Sequence, residues 1–306
     1  MEVAHSTRIE WQFDRETRFP FGRVSPDPAR WAPIGFPPPW PDRPWIFGVM
    51  VSSANGIVAW RRKDDRDDPV LTILGGSESP ERIADRRHMR FLRSFGDASV
   101  GAQTVRDQPA LVLTPQEPRD EPAPALYAFR RTHRLPHHPR NIVYSLFGRL
   151  PLEHPMFTTP DLEAIVVTTE TGAAEIHRRE QSRRDAAPSG GVDGEGGRGL
   201  FRSVQLVIEP LMAPAGLRRA HERLFADHGV RYLACEGGET ILAALRKARL
   251  LDEVFLTISD VVVDETAHDG VLRIMDFEAE GATLIAEGRI APHSGWLFRR
   301  WRFSDR

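Results

Sequence analysis

The sequence predicts an α/β fold in three layers: a mostly parallel mixed sheet, helices on both faces, and an antiparallel C-terminal edge. Three observations carry that expectation. Short apolar, β-branched runs such as "NIVYS", "AIVVTT" and "VQLVI" read as strands covered on both faces. In the C-terminal third, such runs alternate with amphipathic helices, the pattern of a parallel sheet. The closing strands, ending in "WLFRRWRF", have no helices between them, which suggests antiparallel pairing.

Taken in order, residues 1–44 stand apart. "WAPIGFPPPWPDRP" holds prolines and tryptophans too densely for a helix or a central strand. It is read as an extended arm that wraps the domain or a partner subunit, with residues 45–306 as the domain proper. "WIFGVMVSSANG" begins with a strand and stops at the Asn55-Gly56 turn signal. "SPERIADRRHMRFLRSF" is the first strong helix. Ser79 is its expected N-cap and Pro80 its first residue, and His88, Phe91, Leu92 and Phe95 share one face. A strand into "VGAQTV" follows, then "ALVLT", then a Pro-, Arg- and His-rich stretch, 115–139, expected to be irregular. Residues 178–200 read as a flexible linker. Beyond it come helix "GLRRAHERLFADHG", strand "RYLAC", helix "TILAALRKARL" and strand "EVFLTISDVVV".

Composition narrows the function. A chain of 306 residues with net charge −2 carries no basic field for nucleic acid or an anionic membrane surface. Its single cysteine, Cys235, allows no internal disulfide, which fits a reducing cytoplasm. No apolar run approaches the roughly 18 residues of a membrane span, and no signal-peptide pattern opens the chain. The eleven histidines show no metal-ligand spacing; His133 and His137 are separated by Pro136, which breaks a shared helical face. A soluble cytoplasmic protein without a metal is expected.

One stretch carries chemistry. In "RYLACEGGETILAAL" a strand reaches Cys235 and Glu236, and Gly237 and Gly238 then open a helix. Glycines admit close approach to the backbone, and a helix N-terminus presents free N–H groups to an anion. Gly101-Ala102 also follows a strand, and in open α/β sheets ligands bind at the carboxyl ends of strands. A competing motif is rejected: Gly194, Gly196 and Gly199 spell G-x-G-x-x-G, but a polar tract precedes them and a strand follows. The dinucleotide fingerprint needs the reverse order, a strand before and a helix after.

Three segments in order resemble one family, the C-terminal reductase domain of bacterial riboflavin-biosynthesis deaminase-reductases and their stand-alone pyrimidine-reductase relatives. They are "VMVSSANG", "ADRRHMRFLRSFGDASVGAQTVRDQPALV" and "CEGGETILAALRKARLLDEVFLTIS". The resemblance implies a dihydrofolate-reductase-like fold and a reductase using NADPH. The implied substrate is a pyrimidine ribosylamine phosphate whose ribosyl group is reduced to ribityl. It further implies a homodimer. Gly237, Gly238 and Thr240 would hold the cofactor pyrophosphate; Gly101, Ala102 and Thr104 would form a second cofactor loop, and Thr168 would touch the cofactor from a strand end. Glu236 and Asn55 would be the catalytic pair, and Ser53, Arg87, Arg106 and Asp107 would bind substrate.

Two positions depart from the family pattern. Asn55 stands where an aspartate is usual, and an amide cannot take a proton or carry charge. Glu239 lies inside the glycine loop, where its carboxylate would repel a phosphate unless it points outward. The alternatives left open are a non-catalytic nucleotide-binding homologue and a reductase of the same fold with a different substrate.

Overall fold

The computed structural model describes residues 7–15, 24–64, 67–76, 78–116, 122–186, 204–292 and 294–304. In chain order, β1 (Glu10–Asp14), β2 (Trp45–Ser52) and β3 (Ile57–Ala59) precede α1 (Pro69–Ile73) and α2 (Pro80–Arg93). Then come β4 (Asp97–Gly101), α3 (Ala102–Asp107), α4 (Pro124–Thr132), β5 (Asn141–Ser145), α5 (Pro155–Thr158) and β6 (Ala164–Thr168). Next are α6 (Glu170–Ala186), β7 (Gln205–Ile208), α7 (Pro214–Ala226), β8 (Tyr232–Cys235) and α8 (Glu239–Lys247). The chain closes with β9 (Glu253–Ile258), β10 (Leu272–Arg273), β11 (Ala282–Arg289) and β12 (Leu297–Phe303).

Ten strands form one sheet in the order β1-β11-β12-β9-β2-β8-β4-β5-β6-β7. The seven from β9 to β7 are parallel, and β12, β11 and β1 add an antiparallel edge. The predicted fold class is therefore the observed one. Alternation along the strands explains the two cores: Phe47, Val143, Val166, Ala234 and Phe255 face α2, α4 and α6. Their neighbours Ile46, Ile142, Ile165, Leu233 and Val254 face α7 and α8. Helix α2 begins as its sequence predicts, with the Ser79 hydroxyl accepting from the Arg82 amide and Pro80 in the first turn.

Three readings are corrected. Residues 178–186, expected as linker, are the last turns of α6. That helix presents little more than Ala173 and Ile176 to the core, so an apolar stripe could not announce it. Its outer face is laced by Glu175–Arg178 and Glu175–Arg179 ion pairs instead. The rest of the expected linker, with its G-x-G-x-x-G, lies outside the described residues. The stretch 115–139 contains α4, whose Leu126 is fully buried. "ALVLT" joins no strand; the Asn141 side chain accepts from the Leu113 amide at 2.8 Å and donates to its carbonyl, replacing a ladder. The arm is built into the domain: Trp31, Ile34 and Phe36 belong to the α2-side core, and Phe36 stacks on Phe47 at 4.6 Å. Buried charges tie it down. Arg43 pairs with Asp252 at 2.7 Å, and Arg300, itself paired with Glu253, donates to the Gly35 carbonyl.

Among the described residues, no helix is long and apolar enough to cross a membrane.

Candidate active site at the strand ends

The parallel strands β2, β8 and β4 are neighbours, so Ser53–Asn55, Glu236–Gly238 and Gly101–Ala102 emerge at one edge of the sheet. Adjacent strands lie about 4.8 Å apart, so these turns share a single cleft-sized region. The glycines there serve different purposes. A Cβ on Gly237 would lie 2.8 Å from Ile241 Cδ1 and 3.1 Å from its Cβ, and one on Gly101 would lie 3.0 Å from the same Cδ1. Both let α8 pack closely on the strand ends.

Gly238 is different. Its backbone is extended, with φ −66° and ψ 176°, and an added Cβ would meet nothing within 4 Å. It is the N-cap of α8, and no side chain caps that helix. Uncapped amides under open space are a ready anion site, so the residues present fit a dinucleotide phosphate. Thr240 is exposed beside them, and Ala102 and Thr104 are half-buried on α3. Thr168 does not take part: it is fully buried, and its hydroxyl donates to the Ser145 carbonyl at 2.6 Å.

Glu236 is not a free carboxylate facing a cleft. Alternation places it with Ala234 on the α2 face, where Arg93 clasps it through two bonds of 2.6 and 2.7 Å. The two side chains are 8% and 2% exposed. Arg93 also donates to the Thr114 carbonyl at 3.2 Å, and Met89 Sδ lies 3.7 Å from its Nη2. Cys235, on the opposite face, is fully buried, and burial pushes its thiol up to about 11. It is a packing residue.

Asn55 is likewise engaged. Its amide donates to the Val263 carbonyl at 2.9 Å, and its oxygen accepts from the Val263 amide at 3.1 Å. Its oxygen also accepts from the Ser53 hydroxyl at 2.8 Å, and that hydroxyl in turn accepts from the Ile57 amide. An aspartate could hold the Val263 N–H but would oppose its carbonyl, which accounts for an amide at this position. Asn55→Asp is therefore expected to cost about 1–3 kcal/mol of stability, read as a lower urea midpoint with unchanged slope. Ser53, fully buried, shapes the same turn.

The expected substrate-binding residues separate. Arg87 faces the arm, donating to the Thr7 hydroxyl while its carbonyl accepts from the Trp31 indole. Arg106 and Asp107 are exposed on α3. Gln103 links them, its oxygen accepting from Arg106 at 2.6 Å and its amide donating to Asp107 at 2.7 Å.

Two carboxyls bear on the region. Glu239 accepts from the Met275 amide, and its Oε2 is enclosed without a hydrogen-bond partner. Burial pushes it up to about 7, against the lowering effect of the Met275 bond. Deprotonation then sets a negative charge beside the anion site. A dinucleotide's affinity is expected to fall about tenfold, some 1.4 kcal/mol, as pH rises from 6 to 8. Glu239→Gln should flatten that dependence in a fluorescence titration; an unchanged slope would place the charge elsewhere. Asp85, which sequence reasoning passed over, lies half-buried on α2, and burial pushes its carboxyl up to about 6 against the lowering effect of the Thr257 hydroxyl. It belongs to the i+4 row Glu81, Asp85, Met89, Arg93, whose last member pairs with Glu236.

An α/β domain with an uncapped, open helix N-terminus at its parallel strand ends defines a class of ligand-binding folds. Comparison gives the family. The RibD C-terminal domain model matches residues 44–271, and the chain belongs to that family. Among solved structures, one form of RibD from Acinetobacter baumannii superposes with a TM-score of 0.54 at 14% identity, covering 86% of this chain and 59% of that one. A pyrimidine reductase-like protein from Corynebacterium diphtheriae gives 0.54 at 16% identity, covering 87% and 94%. A diaminohydroxyphosphoribosylaminopyrimidine deaminase/5-amino-6-(5-phosphoribosylamino)uracil reductase from Thermotoga maritima gives 0.51 at 13%, covering 86% and 57%. At these identities the likeness shows the fold, and the chain spans about three-fifths of the A. baumannii protein. No curated protein sequence matches it.

Proposed function

We propose that the protein is an NADPH-dependent pyrimidine reductase that converts the ribosyl group of a pyrimidine ribosylamine phosphate to ribityl. The observation that carries the reading is the open, uncapped α8 N-terminus at Gly238, set within a RibD C-terminal domain. Gly237, Gly238 and Thr240 hold the pyrophosphate, with Gly101, Ala102 and Thr104 on the neighbouring strand end. Bound there, the cofactor supplies hydride to the substrate carbon; the protein's part is positioning and water exclusion. Arg106 and Asp107 stay in this proposal as outer substrate contacts. A homodimer in the cytoplasm completes it.

The test is NADPH titration by fluorescence, followed by NADPH oxidation with the pyrimidine ribosylamine phosphate. Binding with substrate-dependent oxidation supports the reading, and absence of NADPH binding ends it. Binding without oxidation would favour a non-catalytic nucleotide-binding protein. One observation leans that way: Asn55 and Glu236 are both committed to structural contacts.

A further inference from the structure

Two strands outrun their neighbour at the candidate site. Cys235, the last residue of β8, lies opposite Gly48, whereas β2 and β9 stay paired four residues further, to Ser52 and Ile258. That extension is about 13 Å, so the ends of β2 and β9 form a wall that rises past the Gly237–Gly238 turn. The two chains remain laced beyond the strands. The Ser259 amide donates to the Ser52 carbonyl at 2.9 Å, and the Ala54 amide donates to the Val261 carbonyl at 2.7 Å. Asp260 sits between those two bonds, at the rim of the wall. It is about two strand spacings, roughly 10 Å, across the sheet from β8. A ligand that extends from the Gly238 anion site toward β9 ends against this wall.

The carboxylate there is open to solvent yet fixed. Asp260 is exposed, and its Oδ1 accepts from the Trp296 indole N–H at 3.0 Å. Trp296 is buried in the cluster that holds Ala84 and Phe298, so its ring cannot follow a moving carboxylate. Gly295 allows the close approach: a Cβ on it would lie 2.8 Å from Asp260 Cβ. Among the described residues, Asp260 Oδ2 takes no hydrogen bond. The other polar groups of the region are spoken for. Arg93 holds both Glu236 oxygens, the Val263 backbone holds both ends of the Asn55 amide, and the free oxygen of Glu239 is enclosed. Asp260 is thus a preorganised acceptor, open at the strand ends.

We propose that Asp260 binds the substrate, accepting hydrogen bonds from its ribosyl hydroxyls, with Trp296 as the residue that positions it; this rests on the reductase reading above. A carboxylate accepts hydrogen bonds and repels a phosphate. It therefore selects the hydroxyl-bearing part of a ribosylamine phosphate and turns the phosphate away from the β2–β9 wall. The indole holds the carboxylate in one orientation before the ligand arrives, which lowers the ordering cost of binding.

The experiment uses the full chain with Asp260→Ala and Trp296→Phe. In Asp260→Ala the KM for the pyrimidine ribosylamine phosphate should rise about 10- to 100-fold, the loss expected for a charged hydrogen bond. Its kcat should stay within about threefold, and its NADPH affinity within about twofold, of wild type. Trp296→Phe keeps a ring and removes the N–H, so it should raise KM by a smaller factor, about threefold to tenfold. A second readout needs no cofactor: calorimetric titration with the ribosylamine phosphate alone should show the same losses of affinity. Asp260→Asn keeps an acceptor oxygen and should recover part of the loss. Because Asp260 is exposed, Asp260→Ala should unfold at a denaturant midpoint close to that of wild type. Unchanged substrate affinity in Asp260→Ala, or a loss that falls equally on NADPH, overturns the assignment and leaves the reductase reading standing. Failure of wild type to bind the ribosylamine phosphate would overturn that reading, and this assignment with it.

Discussion

Gly238→Val is expected to reduce NADPH affinity at least 100-fold, about 2.7 kcal/mol, while leaving the fold intact. Glycine is not required there by the backbone: φ is −66°, and a Cβ would meet no atom within 4 Å. The valine methyls would instead occupy the space above the free amides of α8, where a phosphate must come close. Gly237→Val is the contrasting variant. Its Cβ would press on Ile241 at 2.8–3.1 Å, so it should lose stability as well as binding. Fluorescence titration and thermal melting of both variants separate the cases. If Gly238→Val binds NADPH as wild type does, the opening above α8 is not the cofactor site.

The second large effect is on stability. Glu236→Gln is expected to cost about 3–5 kcal/mol, because it removes the counter-charge of the buried Arg93 guanidinium. The pair is 8% and 2% exposed and bonded twice, so water cannot compensate. Arg93→Met combined with Glu236→Leu removes both charges and should recover most of that loss. Denaturant unfolding of the two single variants and the double one gives the coupling directly. A Glu236→Gln variant as stable as wild type would show that the carboxylate is free to act on a ligand.

Much of the fold was readable from residue order alone. Alternating apolar runs and helical stripes marked strands β5 to β9 with helices α7 and α8 between the last three, and Ser79-Pro80 marked the start of α2. What escaped was held by contacts that local pattern does not encode. Helix α6 is polar nearly all round and gains its place from Ile176 and ion pairs along its surface. The arm's prolines and aromatics announced irregular backbone, but not which side chain Phe36 would stack on, Phe47 of β2.

The site divides along the same line. Chain order alone placed Glu236, Gly237 and Gly238 at a strand-to-helix turn and Gly101 at another, because strand periodicity, glycine and helix onset are properties of adjacent residues. Only the tertiary structure decided their roles. Glu236 finds its partner 143 residues away and Asn55 finds its own 208 away. Arg87 and Arg93, on one helix, face the arm and the end of β8 respectively. A charged side chain takes its role from what the folded chain sets against it. Local spacing specifies the face of an element and leaves open what that face will meet.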